Sequence, residues 1–300
     1  MEPADSVAWD TRAVEISVVG AGTVGTALAV LFARAGHRIV AVSGRDATRA
    51  RLALHLPDAP VLDLSEAGAA GEVVLIATPD DRINEVCRTI AVHEGFRPGR
   101  WVAHLSGASG LEVLEPAADA GASVLCLHPL QTFPDVEAAL RRIPGSSFAV
   151  TARDEVTLRL GEQLARDAGG RPFALAEAAK PLYHAAAVFA SNYLVAVTAV
   201  AEELFVAAEV ADPLDRFLPL SRASLENVAE LGAERSLTGP AVRGDPGTIE
   251  RNLRALGEHA PRAIPAYVAL ARVALDLGER GGRLDPAARA GVEEVLQRWS

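Results

Sequence analysis

The chain has 300 residues, half of them hydrophobic, and a formal net charge of −10. That length accommodates two domains with separate cores. The acidic balance argues against a nucleic-acid surface, which needs a basic face to meet phosphates. Cys87 and Cys126 form no CxxC pattern and no disulfide framework. They read as small buried hydrophobes in a reducing compartment. The acidic, polar start (1–13) reads as a frayed tail and not as a secretory signal. No apolar run reaches transmembrane length, because Gly, Arg and His interrupt each candidate. A cytoplasmic protein with no membrane and no nucleic-acid partner is expected.

Residues 16–45, ISVVGAGTVGTALAVLFARAGHRIVAVSGR, predict a βαβ unit. A strand over 14–19 turns through Gly20-Ala21-Gly22-Thr23-Val24-Gly25 into a helix over 26–35. A second strand follows over 38–42. In this setting the three glycines have separate jobs. Gly20 makes the tight turn, Gly22 lets the backbone approach a pyrophosphate, and Gly25 lets helix and strand pack closely. The helix N-terminus then faces the phosphates. The second strand ends in Ser43-Gly44-Arg45, where an NAD site carries Asp or Glu. A hydroxyl and a guanidinium suit a 2′-phosphate, so NADP(H) is the expected cofactor. The competing arrangement leaves Arg45 solvated and has Asp46 hold the ribose.

Further along, helix 46–55 and a short strand 60–62 precede the apolar run EVVLIA at 72–77, a strand of the kind buried on both faces of a parallel sheet. A helix over 81–93, capped by the aspartates, leads to strand 101–105, helix 111–120 and strand 123–127. Strands 148–151 and 172–175 flank helix 155–167. This alternation specifies an α/β fold, a doubly wound, mostly parallel Rossmann sheet. From about 177 the pattern turns all-helical: 178–210, 213–231, 248–256, 263–277 and 286–299, with a loop over 232–247. The domains expected are therefore 14–176 for cofactor and 177–300 for substrate and dimerisation. The stretch 185–201 carries no charge and is expected to be buried, either at the domain's centre or against a second subunit; a homodimer is preferred.

Ligands of open α/β sheets lie at the carboxyl ends of the strands. That rule gathers Thr78-Pro79-Asp80, beside the ribose and nicotinamide or capping a helix, with Ser106 and His128. Ser106 is either a substrate-binding hydroxyl or a turn residue. His128 reads as a site group, with Gln131 nearby in the same pocket. Lys180 and His184 stand at i and i+4 on one helix face, next to an apolar stretch that lowers the pKa of both and fits them to donate a proton. Ser191 and Asn192 continue that helix. Arg243 lies in a Gly/Pro-fixed loop, where it either clamps a carboxylate with Asp245 orienting it, or stands in a linker whose Asp245 caps the next helix. No short-spaced His, Cys and carboxylate set suggests a metal.

The segments GAGTVGTALA, ATPDDRI, HLSGASGLEVL, LHPLQTF, KPLYHAAAVFASNY and LTGPAVRGD, in this order, resemble a bacterial family of Rossmann-like proteins with a helical second domain of unknown function. That family is similar to ketopantoate reductase, 6-phosphogluconate dehydrogenase and prephenate dehydrogenase. The resemblance matches Lys180 to the catalytic lysine of the first two, although His184 stands where their Asn would be. It likens Ser106-Gly and His128-Pro to the Ser and His of the third, although Leu130 replaces a glycine there. It implies an NADP-dependent oxidoreductase reducing a carbonyl (or imine) of a small carboxylate, with ketopantoate the specific candidate. Lys180 or His184 would supply the proton; His128, Ser106 and Asn192 would hold the substrate, with Gln131, Ser191 and Arg243 around it. An oxidative prephenate-type dehydrogenase and a non-enzymatic NADP(H) sensor are the alternatives.

Overall fold

The computed structural model describes residues 12–45 and 47–300; the expected tail up to residue 11, and Asp46, lie outside them. The chain divides into two compact units between Ser191 and Asn192.

The first unit runs β1 (Glu15–Val19), α1 (Thr23–Arg34), β2 (Arg38–Ser43), α2 (Ala47–His55), α3 (Leu64–Ala69), β3 (Val73–Ile76), α4 (Ile83–Val92), β4 (Trp101–His104), α5 (Glu115–Asp119), β5 (Ser123–Pro129), α6 (Val136–Arg142), β6 (Ser147–Ala152), α7 (Glu155–Asp167), β7 (Arg171–Ala174) and α8 (Lys180–Ala190). The sheet order is β2-β1-β3-β4-β5-β6-β7, parallel except where β6 meets β5. Side chains alternate between two apolar layers, as the period of a strand requires. Ile16, Val18, Leu75, Leu125 and Val150 pack with Leu28 and Phe32 of α1 and Leu160 and Leu164 of α7. Val19, Val74, Ile76, Val102 and Val124 pack with Ile83, Cys87 and Ile90 of α4. Each fully buried side chain of this size contributes roughly 1.5–3 kcal/mol.

Several local expectations change. The helix after the glycine turn begins at Thr23, because Thr23, Val24 and Gly25 form its first turn. The strand at 60–62 reduces to a single bridge between Val42 and Val61. α3 and α6 are additional, although each has a start signal in the sequence. Asp63 and Glu66 make a capping box, and Asp135 accepts the Ala138 N–H. The aspartates do not cap α4, which follows a 3-10 turn at Asp80–Arg82 and has no side-chain cap. β5 extends through His128 and Pro129, since antiparallel β6 pairs them with Ala149 and Phe148.

The second unit comprises α9 (Asn192–Ala207), α10 (Pro213–Leu231), α11 (Ala233–Ser236), α12 (Pro246–His259), α13 (Ile264–Arg280) and α14 (Pro286–Arg298). Its core is Ile249, Leu253, Val268, Leu275, Val292 and Leu296. The expected boundary near 176 moves to 191 because α8 is tied to the sheet by its first residue. The continuous helix expected over 178–210 breaks at Ser191 (φ −127°, ψ −70°). Of the two ways expected to bury 185–201, the one at the domain's centre does not occur within this chain. No residue of α9 is buried, and Leu194, Val195 and Val197 are exposed. By length and composition the stretch Glu177–Ala207 is apolar enough to cross a membrane, contrary to the sequence expectation.

Gly25 shows why the β1–α1 turn admits no side chain. A Cβ there would lie 2.7 Å from Gly20 O and 2.9 Å from the Ala77 methyl. Gly25→Ala should destabilise the first unit by about 1–3 kcal/mol, the usual cost of overpacking. Urea unfolding that matches the parent chain would refute this close packing.

Candidate active site

Strand order reverses between β1 and β3, and in such sheets the ligand crevice lies at that point. Gly20 occupies φ +91°, a conformation side chains rarely adopt, and a Cβ on it would strike Thr78 Cγ2 at 2.8 Å. The glycine turn therefore rests directly on the end of β3. Gly20 and Ala21 donate their N–H groups to Ser43 O at 2.8 and 3.1 Å, which fixes the turn to the end of β2. Above Gly22 the space is open, with nothing within 4 Å of an added Cβ. Gly22 caps α1 with no side-chain hydrogen bond, so the first-turn N–H groups keep their donors. Ser43 is buried, whereas Gly44 and Arg45 are exposed at the rim. These features fit a pyrophosphate over the turn and a negatively charged group beside Arg45.

From Thr78 the polar groups continue along the ends of β4 and β5. Thr78 Oγ1 is buried without a hydrogen-bond partner among the described residues. Asp80 accepts the Ser106 hydroxyl at 2.7 Å. Ser106 Oγ in turn accepts the N–H groups of Ala108 and Ser109, and Ser106 N donates to His104 Nδ1. Ser106 is 3% exposed, and its hydroxyl is spent on shaping the loop. Asp80 likewise serves as a loop staple.

Lys180 also departs from expectation. It is the chain's only lysine, and it is 1% exposed. Nζ donates to Ser106 O at 3.2 Å and to Cys126 Sγ at 3.0 Å. Among the described residues it forms no ion pair with a carboxylate. In this arrangement Nζ is closed off from solvent by protein acceptors. Cys126 is not the inert hydrophobe expected, since its thiol donates to Ser106 O and accepts from Lys180. Burial pushes that thiol's pKa up, against the pull of Lys180.

His128 sits half-buried with Nδ1 2.8 Å from Tyr183 Oη, the two rings meeting edge to face. Its Cε1–Nε2 edge lies against Gly107, where a Cβ would come 2.8 Å from both atoms. Burial, then the charges of Lys180 and His184, bring the His128 pKa down to about 4, with Asp80 opposing. His104 falls to about 3, for burial first and Lys180 second. Burial raises the Tyr183 phenol to about 12. His184 lies one turn beyond Lys180, half-buried, and its Nδ1 has no hydrogen-bond partner among the described residues. Sequence reading named Lys180 and His184 but passed over Tyr183 between them and Gly107 opposite. The signal for Tyr183 was its i+3 place after Lys180.

The remaining candidates take no part in this set of hydrogen bonds among the described residues. Gln131 is exposed, and its Oε1 accepts the Thr132 N–H. Ser191 ends α8. Asn192 and Arg243 belong to the second unit. Asp245 caps α12 through the Thr248 N–H and hydroxyl, so it does not orient Arg243, which is exposed.

Fold and site thus define a Rossmann-like domain with a polar cluster at its strand ends, followed by a helical unit. Family models agree: a Rossmann-like domain matches residues 1–129, and a domain of unknown function (DUF2520) matches residues 146–274. The chain joins these two domains. No curated protein matches it significantly. Among solved structures it is similar to a Bacteroides fragilis protein described as a candidate NADP oxidoreductase. Identity is 26% and the TM-score 0.72, over 88% of this chain and 98% of that one. A Thermotoga maritima protein shares 24% identity at TM-score 0.68, over 89% and 100%. An imine reductase from Myxococcus stipitatus, in complex with NADP+, shares 16% at TM-score 0.65, over 95% and 99%. The last two likenesses concern the fold.

Two outcomes follow. An amine-acetylating reagent should leave Lys180 unmodified in the folded chain and label it in urea, as read by mass spectrometry; labelling under native conditions would refute its burial. Both buried histidines lie below the 6.5 of a free imidazole, so the unfolded chain binds more protons between those values. Their contribution to stability is complete above pH 6.5 and is lost as pH falls towards about 4 for His128 and about 3 for His104. His104→Gln should therefore lose less melting temperature on acidification than the parent chain; an equal loss would refute the assignment.

Proposed function

We propose that the chain is an NADP(H)-dependent oxidoreductase that reduces a carbonyl or imine carbon of a small carboxylate. The observation that carries this reading is continuity: the glycine turn rests on Thr78, and Thr78 leads directly into the Asp80–Ser106–His128–Tyr183 cluster. A cofactor whose pyrophosphate lies over Gly22 would extend along that edge towards the cluster. The Bacteroides likeness supports the same class and cofactor. Gly20 to Gly25 would hold the pyrophosphate, and Ser43, Gly44 and Arg45 the 2′-phosphate. Bound NADPH supplies a hydride. The chain's own groups orient the acceptor, exclude water and supply a proton. Ketopantoate is the first substrate to test.

The reading includes a homodimer. α9 and α10 expose Leu194, Val195, Val197, Val206, Leu220 and Leu225, and a second copy is the occupant that covers them. A bilayer suits them less well. The 16 residues of α9 span about 24 Å, short of the ~30 Å hydrocarbon core, and α8 is anchored to the sheet by Lys180.

NADPH should bind with micromolar affinity, and Arg45→Ala should weaken NADPH by about 10-fold or more while sparing NADH, the pattern of a lost charge-assisted phosphate contact. Fluorescence titration reads both; equal loss for the two cofactors would overturn the 2′-phosphate assignment. Light scattering should give about twice the 31.4 kDa chain mass.

A further inference from the structure

Several polar groups at the ends of β4 and β5 are spent on one another, while Thr78 Oγ1, His104 Nε2 and His184 Nδ1 have no partner among the described residues. Ser106 Oγ is saturated by Asp80, Ala108 and Ser109. Lys180 Nζ is closed in by Ser106 O and Cys126 Sγ. His128 is bonded to Tyr183 through Nδ1, and its Cε1–Nε2 edge faces the side of Gly107 where a Cβ would stand. The Tyr183 hydroxyl is different. A phenol both donates and accepts, and the contact with His128 uses one of those capacities. Half-buried on α8, Tyr183 keeps the other.

We propose that Tyr183 is the proton donor of the reduction, with His128 bearing its proton on Nδ1 to stabilise the phenolate that forms. This assignment rests on the reductase reading above. The substrate carbon accepts the hydride and its electron pair from the reduced nicotinamide. The π pair of the C=O or C=N bond moves to the heteroatom, and the Tyr183 O–H bond breaks to place its proton there. Tyr183 is left as phenolate and regains a proton from water once product leaves.

Three features favour this choice over the histidine. His128 is neutral at pH 7, because burial and the Lys180 charge hold it near 4, so no imidazolium is present to act as acid. Tyr183, raised to about 12, is fully protonated at the same pH. A phenolate gains more than a phenol does from a neighbouring N–H, so the help from His128 Nδ1–H grows as charge develops.

The test follows NADPH oxidation against a panel of 2-oxoacids, ketopantoate first, and cyclic imines. Tyr183→Phe should lower kcat by about 100-fold or more, the usual range for losing a general acid, while the NADPH Kd and the melting temperature stay near those of the parent chain. His128→Asn should lower kcat less, because the phenol remains. Turnover by Tyr183→Phe within about threefold of the parent would overturn the assignment alone. A Tyr183→Phe chain still active but silenced by His184→Asn would overturn it in favour of His184. NADPH binding with no oxidation anywhere in the panel would overturn the reductase reading, and the proton-donor role with it.

Discussion

The candidate site depends on one buried cation, Lys180. Lys180 Nζ, between the Ser106 carbonyl and the Cys126 thiol, clasps the first turn of α8 to the ends of two strands. Burying an ammonium without a carboxylate partner is costly unless its protons are bonded, and here two acceptors meet it. The clasp sets where α8 begins, and so where Tyr183 and His184 stand one turn on. Arginine serves as the cation everywhere else in the chain. A planar guanidinium with five donors would not fill a space shaped for a compact ammonium with two acceptors.

Burial, reinforced by the same cation, sets the chemistry of its neighbours. His104 and His128 feel it through a medium that screens little, and both remain neutral well below ordinary imidazole values. A neutral His104 can accept the Ser106 N–H at Nδ1, and that bond turns the loop so that Ser106 Oγ reaches Asp80. Gly107 follows directly, and its lack of a side chain lets the His128 ring close onto the loop. Charge, loop and ring are therefore one assembly. Disturbing Lys180 would shift all three, whereas disturbing Tyr183 would leave the assembly standing.

Much of this fold was legible in the chain because strands buried on both faces must be apolar and because glycine turns are sterically unambiguous. The run at 73–76 and the turn at 20–25 needed no tertiary information. α3 and α6 went unread although Asp63, Glu66 and Asp135 marked their starts, since short helices offer too few turns for a period to emerge. The end of β5 was misplaced because His128-Pro129 reads locally as a strand end, while pairing with β6 extends the strand through it. The polar groups at the strand ends were legible from their place there, but their hydrogen-bond partners were not. Whether Lys180 faces solvent or is sealed depends on Ser106 and Cys126, which lie 74 and 54 residues away in the chain. Tyr183 escaped notice because a tyrosine among Ala, Val and Leu looks like packing until the His128 contact is seen.

Bonding polar groups to one another has a chemical consequence. Groups held in this way cannot rearrange as charge develops, so the cost of orienting them is met during folding and not during reaction. Ser106 Oγ and Lys180 Nζ are held so. The Tyr183 hydroxyl retains spare capacity, with the histidine at a fixed 2.8 Å. An N–H already in place beside that hydroxyl strengthens as its proton leaves, with no reorientation needed.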